Sequence, residues 1–219
     1  MDDDEIECLK NAVSIFKLQS DEDLYSIVRY YSKYYPEEPM NWLDVSNIKN
    51  MHRLFYYTNY NGDISKWDVS NVTNMKLMFY CSVFDGDISE WNVSNVRSMQ
   101  KMFYRSKFNG NISDWDVSNV TDMGSMFYSS QFRGNISGWD VSNVTDMSFM
   151  FANSSFNGDI SRWDVRNVQT MEKMFAASQF KQNISNWNVN KVLNYSLIFV
   201  GSPMYRMPQF QPLKFRSKK

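Results

Sequence analysis

Apolar and polar positions along this chain repeat with a period of 24 residues. From Trp67 the same step reaches Trp91, Trp115, Trp139, Trp163 and Trp187. Val45, Val69, Val93, Val117, Val141, Val165 and Val189 form a second column, and Phe55, Phe79, Phe103, Phe127, Phe151, Phe175 and Phe199 a third. Seven copies run from about Leu43 to the end of the chain, with Leu43 in the Trp slot of the first copy and Trp42 one place early. All seven Trp lie in or beside one column, and twelve of the sixteen Phe lie in two. Adjoining copies such as "WDVSNVTDMGSMF" (115–127) and "WDVSNVTDMSFMF" (139–151) differ at two of thirteen positions. A fixed period of this length marks an array whose units cannot bury their apolar faces alone and therefore stack.

In the copy "WNVSNVRSMQKMFYRSKFNGNISD" (91–114), Val96, Met99, Met102, Phe103 and Ser106 recur at steps of three and four. That spacing predicts a short helix, capped by Ser94 or Asn95. Asn109-Gly110 predicts a turn, because Gly tolerates positive φ, and its column holds Gly62, Gly86, Gly134 and Gly158, with Gln182 the exception. The segment "NISDWDV" reads as a very short strand with a bend between the Ile and the Trp. Strands of successive coils would stack ~4.8 Å apart and helices ~8–10 Å apart, so such an array curves with its helices on the convex side. The fold class expected is therefore an α/β solenoid, a leucine-rich-repeat-like array of about seven 24-residue coils with a short strand and a short helix each. A Ser/Thr column (Thr58, Ser82, Ser106, Ser130, Ser154, Ser178, Ser202) is expected to bond the backbone of the neighbouring coil, since buried hydroxyls need partners.

The ends differ. "IECLKNAVSIFKL" and "DEDLYSIVRYYSKYY" carry helical apolar spacing, so residues 1–40 read as an N-terminal helical cap covering the first coil. Residues 41–202 form the repeat array. Residues 203–219, with Pro203, Pro208 and Pro212, read as a C-terminal cap extension with a basic, irregular tail.

Residues 1–40 hold ten acids and four bases, whereas 173–219 hold eight bases and no acid. This reads as two charged ends on a near-neutral array, and the net charge of −1 argues against nucleic acid as the partner. No apolar run approaches the ~18 residues of a membrane span. The acidic start "MDDDEIECLK" lacks the pattern of a signal peptide, and Cys8 and Cys81 suit a reducing compartment. An intracellular location is expected, in the cytoplasm, or in the host cytoplasm or virion if the source is viral.

His52 is the single histidine, without local support for a catalytic triad, and phosphate-binding glycine motifs are missing from the sequence. The carboxylates recur with the coil (Asp68, Asn92, Asp116, Asp140, Asp164, Asn188), which fits turns or caps bonded to backbone. Calcium held by stacked Asp and Asn oxygens is the sharper alternative. The free exchange of Asp for neutral Asn speaks against it. The expectation is no enzyme, no cofactor and no metal.

The motif W-[DN]-V-S-N-V-x-x-M-x-x-M-F followed by F-x-G-[DN]-I-S resembles the BspA-like surface-protein repeat, also described as the mycoplasma lipoprotein repeat of unknown function. The resemblance covers residues 43 to about 202. It implies a leucine-rich-repeat-like array and, loosely, binding or adhesion, and it transfers no catalytic residue. Relatives occur in bacterial surface proteins, protists, algae and large DNA viruses. The Asn-rich composition suits an AT-rich genome, such as that of a giant virus or a protist.

The function expected is a non-enzymatic repeat scaffold mediating protein–protein interaction. The alternative is an adhesion protein of a cell or virion surface. On a helix, the positions pointing furthest from the core are those of Arg97, Lys101 and Tyr104. Tyr56, Tyr80, Tyr104 and Tyr128 would then form a stripe flanked by Lys49, Arg53, Arg97 and Lys101, a composition enriched at protein interfaces. Alternatively, the rings cover one another and bind nothing. A concave face carrying Lys66, Glu90, Asp114 and Arg162 is the competing surface.

Overall fold

The computed structural model describes Cys8, Leu18 and residues 20–216. Seven coils stack in register through single-residue parallel bridges that join Asn50, Asn74, Ser98, Asp122, Asp146, Thr170 and Asn194 in turn. Among the described residues there is no strand and no sheet, and the coils contain no helix. The expected α/β architecture is therefore wrong: these are stacked coils of turns.

The segment read as a helix shows why. From Met75 to Cys81, the N–H groups of Met75, Leu77, Phe79 and Cys81 donate to carbonyls of Ser98, Gln100, Met102 and Tyr104 in the next coil at 2.8–3.0 Å. The alternate N–H groups of Met78, Tyr80 and Ser82 close turns on Met75, Leu77 and Phe79 at 3.2 Å. Leu77 and Cys81 have φ of 61° and 52°. A left-handed residue at every fourth position reverses the winding, so the segment stays a ribbon instead of coiling. Among the described residues, thirteen non-glycine residues adopt this conformation, with φ between 50° and 63°. Each costs ~1–2 kcal/mol, which persists because inter-coil bonds fix the backbone on both sides.

Side chains capture the remaining N–H groups and compete with helix. The Asn74 carbonyl oxygen accepts from Lys76 N–H at 3.0 Å, and Asp146 from Ser148 N–H at 2.7 Å. Two further corners per coil use the same device, as in Asp63 to Ser65 (2.8 Å) and Asp68 to Ser70 (3.0 Å). These bonds account for the repeating Asp and Asn. They also hold the carboxyls of Asp63, Asp87 and Asp159 below the usual range, chiefly through the Ser N–H groups.

Other columns bind coil to coil. The indole N–H of Trp115 donates to Ile88 O at 3.0 Å, and the Asn119 amide to Ser94 O at 2.8 Å. The bend expected between Ile and Trp is a turn, closed by Trp91 N–H on Ile88 O at 3.2 Å. With hydrogen bonds joining coils at several corners and no helical layer, the physical ground for a leucine-rich-repeat horseshoe is gone.

Two smaller expectations also need correction. The glycines at 62, 86, 110, 134 and 158 do not have positive φ. Their column is set by packing: a Cβ at Gly86 would lie 2.8 Å from the Phe84 ring. The Ser hydroxyls bond their own coil, as Ser106 Oγ accepts from Phe108 N–H at 3.1 Å and Ser178 donates to Phe175 O at 2.8 Å.

One continuous core runs the length of the stack. The Phe55-to-Phe199 column stacks ring on ring at 5.3–5.9 Å. At the N-terminal end, helix α1 (Asp21–Tyr34) starts at Ser20, whose hydroxyl accepts from Asp23 N–H at 3.2 Å. It buries Leu24, Val28 and Tyr31, one face of the helix. The first expected helix lies almost wholly outside the described residues. At the other end, three 3-10 turns (Pro203–Arg206, Pro208–Phe210, Leu213–Phe215) bury Met204 and Phe215 against the last coil. The Lys214 ammonium donates to the carbonyls of Val189, Asn190 and Val192 at 2.7–3.3 Å. Among the described residues, no helix is long and apolar enough to cross a membrane.

Candidate functional site

In each of the first four coils a Tyr follows the buried Phe of the main column and comes out on the opposite side of the ribbon. Tyr56, Tyr80, Tyr104 and Tyr128 are half-buried, with successive centroids 4.9, 4.5 and 4.6 Å apart and planes within 19°. The expected stripe thus exists, although ribbon geometry, not helix geometry, creates it. Its rings cover one another's faces and leave edges and hydroxyls outward. Burial raises the pKa of Tyr80 and Tyr104, so both remain neutral donors at physiological pH.

The expected cations divide. Arg53 lies over Tyr56 at 5.2 Å. Arg97 and Lys101 lie over none of these rings; Arg97 is exposed at a separate corner, and Lys101 is half-buried with φ 58°. The helix assumption misplaced them, since Leu77 and Ser125 of the Lys101 column are buried. Arg105, which the sequence reading missed, lies over Tyr104 at 5.6 Å. Phe149 extends the band 6.5 Å beyond Tyr128, with the Lys173 ammonium 5.3 Å from its ring. Lys66, Glu90, Asp114 and Arg162 are exposed on the Ile–Trp corner, which is not a concave sheet.

Where α1 meets the first coil, a cleft of about 760 Å³ opens at the end of the stripe, lined among others by Tyr25, Arg29, Lys33, Arg53, Tyr56 and Tyr57. Among the described residues, no acidic side chain lines it. Tyr25 donates its hydroxyl to His52 O, and burial pushes its pKa up to about 12. His52 is half-buried with its pKa lowered, first by burial and then by Arg53 and Lys76. This cleft has no signature in the sequence, because it joins residues 25–33 to residues 53–59.

The bridge column contains an electrostatically strained spot at Asp122. Asp122 carries a raised pKa, from burial first and the neighbouring Asp146 next. Gln100 offers its amide at 2.9 Å. Asn occupies this column at 50, 74 and 194, and Asn74 donates its amide to Asn50 at 2.9 Å. We expect Asp122→Asn to raise stability at pH 7 by up to ~1 kcal/mol after solvent screening. For a carboxyl with raised folded pKa the penalty exists above that pKa and is relieved as pH falls. The gain should therefore vanish below about pH 4, where Asp122 is protonated in both states; paired denaturation curves at pH 7 and in that acid range measure it.

Among the described residues, no group of three or more His, Cys, Asp or Glu side chains is arranged to hold a metal ion. The repeated carboxylates bond backbone N–H groups instead. Cys8 and Cys81 are free thiols.

The family model described as "Mycoplasma protein of unknown function, DUF285" matches residues 22–131 and 105–209. No curated protein and no solved structure matches the chain.

Proposed function

We propose that this chain, which belongs to the Mycoplasma protein family of unknown function DUF285, is a non-enzymatic repeat scaffold that binds another protein along its tyrosine stripe. The observation carrying this reading is the contrast between columns. The Trp, Val and Phe positions repeat because the stack requires them, whereas the stripe position is Tyr in the first four coils only and Ala152, Ala176 and Val200 after them, and its flanking cations change from coil to coil. Stacking holds the four rings 4.5–4.9 Å apart in advance, so a partner meets side chains whose rotamer entropy is already lost. Guanidinium groups over Tyr56 and Tyr104 add directional donors beside that surface. An intracellular location is part of the same reading.

The test is affinity capture with the Tyr80→Ala/Tyr104→Ala variant, first verified to unfold at wild-type denaturant. Partners captured by wild type should be lost. If they are retained, and Glu90→Ala/Asp114→Ala loses them instead, the exposed Ile–Trp corner is the binding surface and the stripe reading is wrong. The resemblance of the repeat to BspA-like surface proteins favours adhesion at a cell or virion surface as a second reading. Protease accessibility of the protein on intact cells or virions separates the two.

A further inference from the structure

The hydrogen-bond ribbon gives the stack a direction. In every coil but the last, the ribbon N–H groups reach forward to carbonyls of the next coil, as Met123, Ser125, Phe127 and Ser129 donate to Asp146, Ser148, Met150 and Ala152. The same row in the last coil is Tyr195, Leu197, Phe199 and Gly201. Among the described residues, these four N–H groups donate to no backbone or side-chain acceptor. Every carbonyl from Asn194 to Val200 already accepts a bond. From Tyr195 to Gly201 the row is therefore all donor, while the Leu193 carbonyl beside it is open among the described residues, without the N–H that Gln169 O receives from the following coil.

It is also apolar and grooved. Leu193 is 82% exposed, Leu197 57% and Leu213 78%. A groove of about 990 Å³ runs between this row and the C-terminal turns, and among the described residues its wall holds Lys214 and Arg216 and no acid. The C-terminal turns approach this row from one side, where Phe215 packs on the rings of Tyr195 at 5.0 Å and Phe199 at 6.3 Å and Lys214 caps three carbonyls, without bonding the row's N–H groups. They leave this row open.

We propose that this groove docks a ribbon-like peptide segment of another protein that presents backbone carbonyls on alternate residues, apolar side chains between them, and a carboxylate. Six internal interfaces show what such a row accepts, since each is covered by a segment of this kind from the following coil. A second copy meeting this end to end cannot fill it, because two donor rows of residues 195–201 offer each other no acceptor. A second copy meeting it head-on is obstructed, because α1 covers its first coil through the Tyr25 bond to His52 O. Added-strand recognition works on the same basis, with main-chain bonds supplying affinity and side-chain pockets specificity.

The probe is a labelled synthetic peptide of residues 144–154, VTDMSFMFANS, titrated into the full chain and followed by anisotropy and amide hydrogen exchange. The expected result is saturable binding that slows exchange at Tyr195, Leu197, Phe199 and Gly201 at least tenfold, while a scrambled peptide does neither. Leu193→Asp/Leu197→Asp, at two exposed positions, should weaken binding at least tenfold. Tyr80→Ala/Tyr104→Ala should leave it unchanged, which separates this site from the stripe. No binding, or protection elsewhere, overturns the proposal. So does wild-type self-association in sedimentation that the Leu193→Asp/Leu197→Asp change abolishes, because the occupant is then a second copy. Should that variant misfold, protection in the wild type still decides.

Discussion

Replacing Phe127 with Ala lowers the unfolding free energy by ~3–5 kcal/mol, the cost of emptying a close-packed aromatic site. Phe127 is fully buried and touches rings on every side: Phe103 and Phe151 at 5.7 Å, Phe132 at 4.4 Å and Trp139 at 6.4 Å. Three of these neighbours, Phe103, Phe151 and Trp139, belong to the two adjoining coils, so the loss falls on two interfaces at the centre of the stack. In an array stabilised by nearest-neighbour terms, chemical denaturation should show the midpoint shift with the largest cooperativity loss at this central site. The equivalent change at Phe199, beside the C-terminal turns, should cost less. Equal costs at the two positions would mean that the coils do not share one core.

Deleting residues 115–138 should leave a folded, cooperative protein, whereas deleting 115–137 should abolish the transition. The longer deletion removes one whole period. Trp139 then takes the Trp115 slot, and Asp146 meets Ser98 across the bridge column as Asp122 does now. The shorter deletion puts Asp140 in the slot of Val117, Asn143 in that of Val120 and Asp146 in that of Met123. Each of those slots is fully buried, and a buried unpaired carboxylate costs several kcal/mol. Far-ultraviolet spectra and thermal scans of the two deletions distinguish the outcomes. A cooperative 23-residue deletion would sink the in-register stack.

The period, the core columns and α1 were legible because they rest on burial, which side-chain chemistry announces directly. The backbone was not. Steps of three and four at Val96, Met99, Met102 and Phe103 are produced by a helix, and equally by a ribbon with a left-handed residue at every fourth position. Most of those residues, such as Leu77, Lys101 and Arg105, have no preference for that conformation, and only Asn153 and Gly201 in the column of Arg105 favour it, too few to reveal the pattern. A signal did exist nearby. Asp or Asn followed two places later by Ser recurs in each coil, as at Asp63–Ser65 and Asp68–Ser70, and this is the chemistry of a side chain closing a turn. The outward side of Tyr56, Tyr80, Tyr104 and Tyr128 was legible because the position after the buried Met–Phe pair lies at the edge of the core face in this ribbon as in a helix, and a Tyr there keeps its polar end out. Arg105 was missed, and Arg97 and Lys101 were misassigned, because flanking positions depend on the winding that was wrong.

The forward direction of the ribbon bonds also orders events on the ribosome. A coil that has just emerged carries an unfilled row of donors, and only the coil made after it can supply the carbonyls. At ~5–20 residues per second, each 24-residue coil waits about one to five seconds for the next. Throughout synthesis the nascent chain therefore ends in an adhesive edge, renewed at every turn of the stack. α1, translated first, is ready to shield the opposite end before any second coil exists. Growth of the folded stack is one-way, and the hazard of mispairing with another nascent chain sits at a single moving front.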